Sequence, residues 1–249
     1  MGFLPTGGGR IIPSRRELIY FEEVYHSMNH SLQIAQLLDV SKTIAADIFN
    51  GLTYPWEALP KISAFVLQLG ASLSPDEYTQ TEEDIWISKT AKVAPTAYLH
   101  GPLIICDGAE IRHCAFIRGS AIVGCGSVVG NSTELKNCII FDNAQVPHYN
   151  YIGDSILGYK AHLGAGAITS NLKSDRSLVT IRIQDEKLDT GLKKFGAIVG
   201  DNVEVGCNSV LNPGTVIGRD ATVYPLSMVR GVVPAHSIYK KQGEVAGKI

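Results

Sequence analysis

From about residue 91 the chain divides into units of six: AKVAPT, AYLHGP, LIICDG, AEIRHC, AFIRGS, AIVGCG, SVVGNS and TELKNC, each with an aliphatic third residue. Val93, Leu99, Ile105, Ile111, Ile117, Val123, Val129 and Leu135 recur at that interval, a period belonging neither to a helix nor to an ordinary half-buried strand. It fits a parallel β-helix, in which each hexad is one short strand plus one corner and three hexads close a triangular coil. One aliphatic side chain per face then points inward and stacks on its equivalent in the next coil. A second run covers 197–232: AIVGDN, VEVGCN, SVLNPG, TVIGRD, ATVYPL and SMVRGV. Glycine often follows the inward residue, as at Val129-Gly130 and Val205-Gly206, because the corner requires a close backbone approach that a Cβ resists.

Two segments interrupt the beat. Between Leu135 and Leu157 the phase shifts by four, and within that shift lies VPHYNYIGD, residues 146–154. The shift predicts a broken coil that lifts side chains into a cleft. Between Asn171 and Gly196 lies LKSDRSLVTIRIQDEKLDTGLKKF, an inserted loop at 172–196 whose alternating LVTIRIQ predicts a strand. Loops that interrupt a rigid scaffold are where binding residues concentrate. Residues 1–84 read differently, as short helices forming a cap over the coil's N-terminal end, with DEYTQTEEDIW as a linker into a repeat domain at 85–249. PTGGGR, near the start, lacks the strand, helix and Lys-Ser/Thr context of a phosphate-cradling loop and reads as a leader.

With 22 Lys and Arg against 24 Asp and Glu and no block of like charge, nothing in the chain suggests an electrostatic grip on nucleic acid or anionic lipid. No run approaches the roughly 18 apolar residues of a membrane span, and the start lacks a signal peptide's apolar stretch, so a cytoplasmic location and small-molecule chemistry are expected. Five cysteines without a C-x-x-C pair argue for reduced thiols rather than a disulfide framework or zinc ribbon. His100, His113 and His162 make no H-x4-H pair, and no metal site is expected.

His148, at the phase shift, is a candidate general base, since an imidazole titrates near neutral pH. The alternative is an ordinary hydrogen-bonded corner histidine. Arg118 and Lys136 stand one coil apart, so they stack on one side, as a phosphate site or equally as a solvated basic face. Asn171 can orient a histidine, bind a ligand amide or cap a turn.

The stretch GNSTELKNCIIFDNAQVPHYNYIGDSILGYKAHLGAGAITSN resembles the acetyltransferase domain of the bifunctional glucosamine-1-phosphate acetyltransferase and N-acetylglucosamine-1-phosphate uridylyltransferase family. That family reads approximately G-N-x-x-E-x-K, then H-x-x-Y-x-G-D, then G-A-G-x-I-T-x-N, at the spacing found here. The resemblance implies a trimeric left-handed β-helix of the hexapeptide-repeat transferases, using acetyl-CoA and no metal. It makes His148 the catalytic base and Arg118, Lys136 and Tyr151 the acceptor pocket. Asn171 would contact both sugar and acetyl-CoA, and Lys194 would reach a phosphate from a neighbouring subunit. His162 stands where the family has a sugar-pocket asparagine, Leu172 replaces a tyrosine, and Cys207 and Pro225 occupy coenzyme-contacting positions usually held by Ser and Ala. The longer loop after Asn171 looks more like that of archaeal-type sugar-phosphate nucleotidylyltransferases with acetyltransferase tails. No L-x-A-G-x-G-T-R stretch of a uridylyltransferase occurs in the sequence. The expected function is acetyl transfer to the amine of an amino-sugar phosphate or nucleotide-linked amino sugar. The alternatives are a sugar-nucleotide-binding protein without transfer, or O-acetylation or succinylation on the same scaffold.

Overall fold

A computed structural model describes residues 30–183, 186–241 and 244–247; PTGGGR lies outside them. The inward residues stack as the period requires. Val93 pairs with Ile111 and Ile111 with Val129, each step 18 residues, and Leu99 pairs with Ile117 in the same way. Three faces result. Face 1 carries Ile85–Ser88, Leu103–Ile105, Ala121–Val123 and later Ala197–Val199, Thr215–Ile217 and Val232–Val233. Face 2 runs from Lys92–Val93 through Gln145–His148 to Ser237–Lys241, and face 3 from Tyr98–His100 through Ile168–Thr169 to Met228–Val229. Each edge is named here for the face it follows, so edge 2 joins faces 2 and 3, and edge 3 joins faces 3 and 1.

The stretch DEYTQTEEDIW is not a linker. Tyr78–Glu82 forms a strand antiparallel to Ile85–Ser88, which is itself the first rung, pairing Ile85, Trp86 and Ile87 with Leu103, Ile104 and Ile105. The β-favouring Tyr and Thr residues of YTQTE suit an edge position, and buried Ile85 anchors the rung that follows.

The phase shift also has a different origin from the one its sequence suggests. Val146 and Ile152 are both inward and buried, six residues apart, so VPHYNYI, with His148 in it, keeps the beat. The irregularity lies on edge 3. There Leu135 pairs with Ile117 but Cys138 pairs with Ala121, so the corner after Leu135 is one residue shorter than the corner after Ile117. The corner after Ile152 is shortened in the same way, with Leu135 opposite Ile152 and Ile140 opposite Leu157. Two one-residue deletions and a gain of four are the same shift in a period of six. In consequence Glu134–Ile140 and Tyr151–Leu157 run as unbroken seven-residue strands around the edge.

Face 1 is apolar on its outside as well as inside. Trp86, Ile104, Ile122, Ile139, Ile156, Ile198 and Val216 point away from the coil axis and are buried in a second core with the N-terminal segment. That segment comprises a short helix Ile34–Leu37, 3-10 turns at Val40–Lys42, Ala46–Phe49 and Pro55–Lys61, and a helix Ile62–Ser72. It lies along the side of the coil rather than over its end, because that is where the exposed apolar ladder needs covering. Phe49 packs on Phe141, and Trp56 stacks on Phe195 at the root of the insertion. The insertion is a hairpin, Thr180–Ile183 antiparallel to Glu186–Asp189, whose Val179, Ile181 and Ile183 join the same core.

Ile139→Ala should therefore cost roughly 2–5 kcal/mol in urea denaturation although its side chain faces away from the coil axis. Gln145→Ala, at the equivalent place on face 2, where the outward side chain is exposed, should cost less than about 1 kcal/mol. Equal costs would contradict a buried outer ladder.

Candidate functional site

Edge 3 gathers the charged residues. The full-length corner after Ile117 turns through two residues with positive φ, Gly119 and Ser120; the shortened corners after Leu135 and Ile152 turn through one, Asn137 and Asp154. Asn and Asp tolerate that left-handed conformation better than other side chains. The deletion thereby stacks Asn137 and Asp154 on successive coils. Buried Asp154 accepts from Lys136 Nζ at 2.8 and 3.0 Å, from Asn137 Nδ2 at 2.9 Å and from Asn171 Nδ2. Asn171 also donates to the Tyr151 hydroxyl at 3.3 Å. One coil back, Arg118 Nε donates to Glu134 Oε1 at 2.6 Å, a bond that raises the arginine's pKa. Burial raises the Tyr151 pKa, and the nearby Glu134 charge adds to it.

Arg118, Lys136, Tyr151 and Asn171 are thus brought together, but neither cation is free. Each is matched by a carboxylate, Glu134 or Asp154, that a search for cations passed over. The signal was present in the sequence, as E-x-K at 134–136 and G-D at 153–154.

His148 sits on edge 2, exposed, two residues after inward Val146. Its ring is not lifted by a broken coil. His113, Asn131, His148, Ala165, Cys207 and Pro225 all occupy that same corner place, and the residue after it has positive φ at Cys114, Ser132, Tyr149, Gly166, Asn208 and Leu226. The backbone ladder continues through it, with Tyr149 N donating to the Asn131 carbonyl and Gly166 N to that of His148. What is particular to His148 is Asn150. This buried side chain accepts from His148 N at 3.1 Å and donates to the carbonyls of Gly164 and Ala167, each at 2.9 Å. Other coils place Thr133, Ala167, Ser209 or Ser227 there, so the larger amide braces this one corner.

The remaining candidates are distributed. Cys207 and Pro225 continue edge 2 beyond His148, both exposed, and a Cβ on Gly164 would meet Cys207 N at 2.8 Å. Ala165, Cys207 and Pro225 thus make a row of short side chains, a shelf along the edge. His162 lies elsewhere, on the outer side of face 2, where Nδ1 meets Glu204 Oε2 at 2.7 Å. Lys194 is exposed beside Phe195, whose N–H returns to the Asn171 carbonyl at 2.9 Å, so it stands at edge 3. Leu172 is exposed. Among the described residues no cluster of His, Cys, Asp and Glu could hold a metal, and no helix is long and apolar enough to cross a membrane.

Residues 99–188 match the GMPPB C-terminal domain family, and residues 196–231 match the bacterial transferase hexapeptide family of six repeats. The chain is 32% identical over 213 residues to the bifunctional protein GlmU of Methanococcus aeolicus, covering 78% of this chain and 48% of that protein. It is 30% identical over 154 residues to a bifunctional sugar-1-phosphate nucleotidylyltransferase/acetyltransferase of Sulfurisphaera tokodaii, covering 62% of this chain and 38% of that one. The chain therefore spans about half or less of the length of these curated relatives. A hexapeptide transferase family protein from Anaplasma phagocytophilum superposes with a TM-score of 0.39 at 14% identity, over 66% of this chain and 79% of that one.

Asp154→Asn keeps the shape but leaves the Lys136 charge unmatched. It should lower unfolding free energy by roughly 1–3 kcal/mol, and a double-mutant cycle with Lys136→Met should return a coupling of about 1 kcal/mol or more. Additive losses would mean the pair does not act as a unit.

Proposed function

We propose, on the premise that this chain is a hexapeptide-repeat relative of the bifunctional GlmU proteins, that it transfers an acetyl group from acetyl-CoA to the amine of an amino-sugar phosphate or nucleotide-linked amino sugar. The observation that carries the reading is the pairing of two edges across one open face. Exposed His148 and the Asp154 cluster lie at opposite ends of a single rung of face 3, with Tyr151 between them.

His148, braced by Asn150, accepts the proton that the acceptor amine loses as it attacks the acyl carbon, and returns it to the departing sulfur. The coenzyme's thioester supplies the acetyl group. Tyr151 and Asn171 orient the sugar, while Arg118 and Lys136 offer donors already held in place by Glu134 and Asp154. Ala165, Cys207 and Pro225 form the shelf for the donor.

A homotrimer supports this use of both edges. Face 1 is covered by the chain's own cap and hairpin, and face 2 presents Glu110, Gln145, His162 and Glu204. Face 3 leaves Tyr98, Phe116 and Met228 exposed, with the two rings 5.6 Å apart. Turning face 3 toward a threefold axis brings edge 2 of one copy against edge 3 of the next, so His148 of one chain meets the Arg118–Asn171 cluster and Lys194 of another. The exposed Cys207 and Pro225 on the donor shelf keep one alternative open, a sugar-nucleotide-binding protein that transfers nothing.

His148→Asn should reduce acetyl transfer about 100-fold or more while the protein still binds coenzyme A in calorimetry. Undiminished turnover would remove the general-base role, and a parent protein that binds sugar nucleotides but never the coenzyme would establish the binding-protein reading. Phe116→Glu should convert the trimer to monomers in sedimentation and abolish transfer with it. Active monomers would contradict a shared cleft.

A further inference from the structure

Further along edge 3, past Asn171, the charge balance changes. Asn212 and Arg230 follow inward Leu211 and Val229, the same corner place that Arg118 and Lys136 hold on earlier coils. Arg118 and Lys136 face carboxylates there, whereas among the described residues Arg230 Nη2 meets the neutral Asn212 Oδ1, at 3.4 Å, and no carboxylate. The inserted hairpin adds more positive charge. Arg182 and Lys187 stand directly opposite each other in its register, a like-charge pair that destabilises a two-stranded ribbon. Lys173, donating to the Leu178 carbonyl at 3.2 Å, completes the wall.

These four cations, with Thr180 and Asn212, line a cavity of about 140 Å³ between the hairpin and the edge, and among the described residues no carboxylate lines it. Of the acids nearby among the described residues, Asp175 accepts from the Ser177 N–H and hydroxyl, and Asp189, on the same face of the hairpin as Arg182 and Lys187, lies outside the cavity lining. None of the four cations has an ion-pair partner among the described residues. The hairpin is seated rather than loose, since a Cβ on Gly231 would meet the Arg182 carbonyl at 2.8 Å. Rigid backbone therefore holds Arg182 and Arg230 close together without a compensating charge.

We propose that this cavity is a binding site for an oligophosphate group. Two guanidinium forks and two ammonium groups converge on a space well below the roughly 300–1,000 Å³ of a pocket that encloses a whole ligand, so it suits one or two phosphoryl groups rather than a sugar or base. A bound oligophosphate offsets the Arg182–Lys187 repulsion that the hairpin otherwise carries. The site stands on its own charges and does not depend on acetyl transfer; that reading serves only to select two of the probes. The diphosphate of a nucleotide acceptor and the phosphates of the acyl donor share this chemistry.

Titration calorimetry of the full chain with inorganic pyrophosphate, UDP and coenzyme A tests it. The parent should bind pyrophosphate with an affinity that falls as salt rises. The doubly substituted Arg182→Gln/Lys187→Gln protein and the Arg230→Gln protein should each bind it at least tenfold more weakly, and the ligand-free double variant should melt no lower than the parent. If the weakening extends to UDP the site serves the acceptor, and if it extends to coenzyme A it serves the donor. Pyrophosphate affinity unchanged in both variants, or no binding by the parent at millimolar pyrophosphate, overturns the proposal. Failure of the transferase reading is separable, because it is seen as absent turnover with pyrophosphate binding intact.

Discussion

The outer ladder of face 1 governs the rest of this molecule. A coil built only to fill its own interior needs one aliphatic column per face. Here face 1 carries a second, outward column from Trp86 to Val216. Burying each large member contributes roughly 1.5–3 kcal/mol, and leaving the strip bare would expose a continuous apolar patch. Covering it consumes two segments with no sequence connection, the cap at 30–73 and the hairpin inserted after Asn171. Their meeting at Trp56 and Phe195 closes the cover. Because face 1 is then occupied, only faces 2 and 3 remain to meet anything else, and of these face 3 keeps Tyr98, Phe116 and Met228 exposed.

The two shortened corners act on a smaller scale with comparable effect. Removing one residue leaves a single left-handed position where two would stand, and Asn137 and Asp154 occupy it. A carboxylate is thereby buried at a coil edge, where lysine and two amides can reach it at once. A regular corner, such as Gly119-Ser120, presents no such group. The charge network of the site is thus a product of chain length in two corners as much as of residue type.

Much of this was legible in the sequence, and the misses have physical reasons. The period of six is imposed by coil geometry on the inward residues, so it survives variation elsewhere. The covered face was legible too, as two adjacent aliphatic residues in every third hexad: LIIC, AIVG, CIIF, SILG. The shift of four was not resolvable, since a gain of four and a loss of two leave the same phase, and only backbone pairing separates them. Reading it as a gain put the break at His148, while the losses fall at Asn137 and Asp154. His162 precedes the inward Leu163 and so belongs to the flat outside of face 2, a placement the hexad count already implied. The carboxylate partners of Arg118 and Lys136 escaped because residues were sought one at a time, whereas a buried ion pair is a property of two coils.

Edge 3 is therefore an electrostatic gradient along the coil axis. Near Lys136 and Arg118 each cation is matched, leaving a polar cluster with little net charge. That suits an amine nucleophile, which must shed a proton to react and would be held as unreactive ammonium by uncompensated carboxylates. Three and four coils beyond Lys136, at Asn212 and Arg230, the matched acids are gone and four cations face one cavity. Coils are spaced by the interstrand distance, so the two regions lie roughly 15–20 Å apart along the edge. A ligand that engages both must be extended, carrying its reactive nitrogen and its phosphates at opposite ends. A compact monophosphate reaches one region at a time, whereas a nucleotide-linked sugar, or a sugar and a coenzyme bound side by side, spans the gradient.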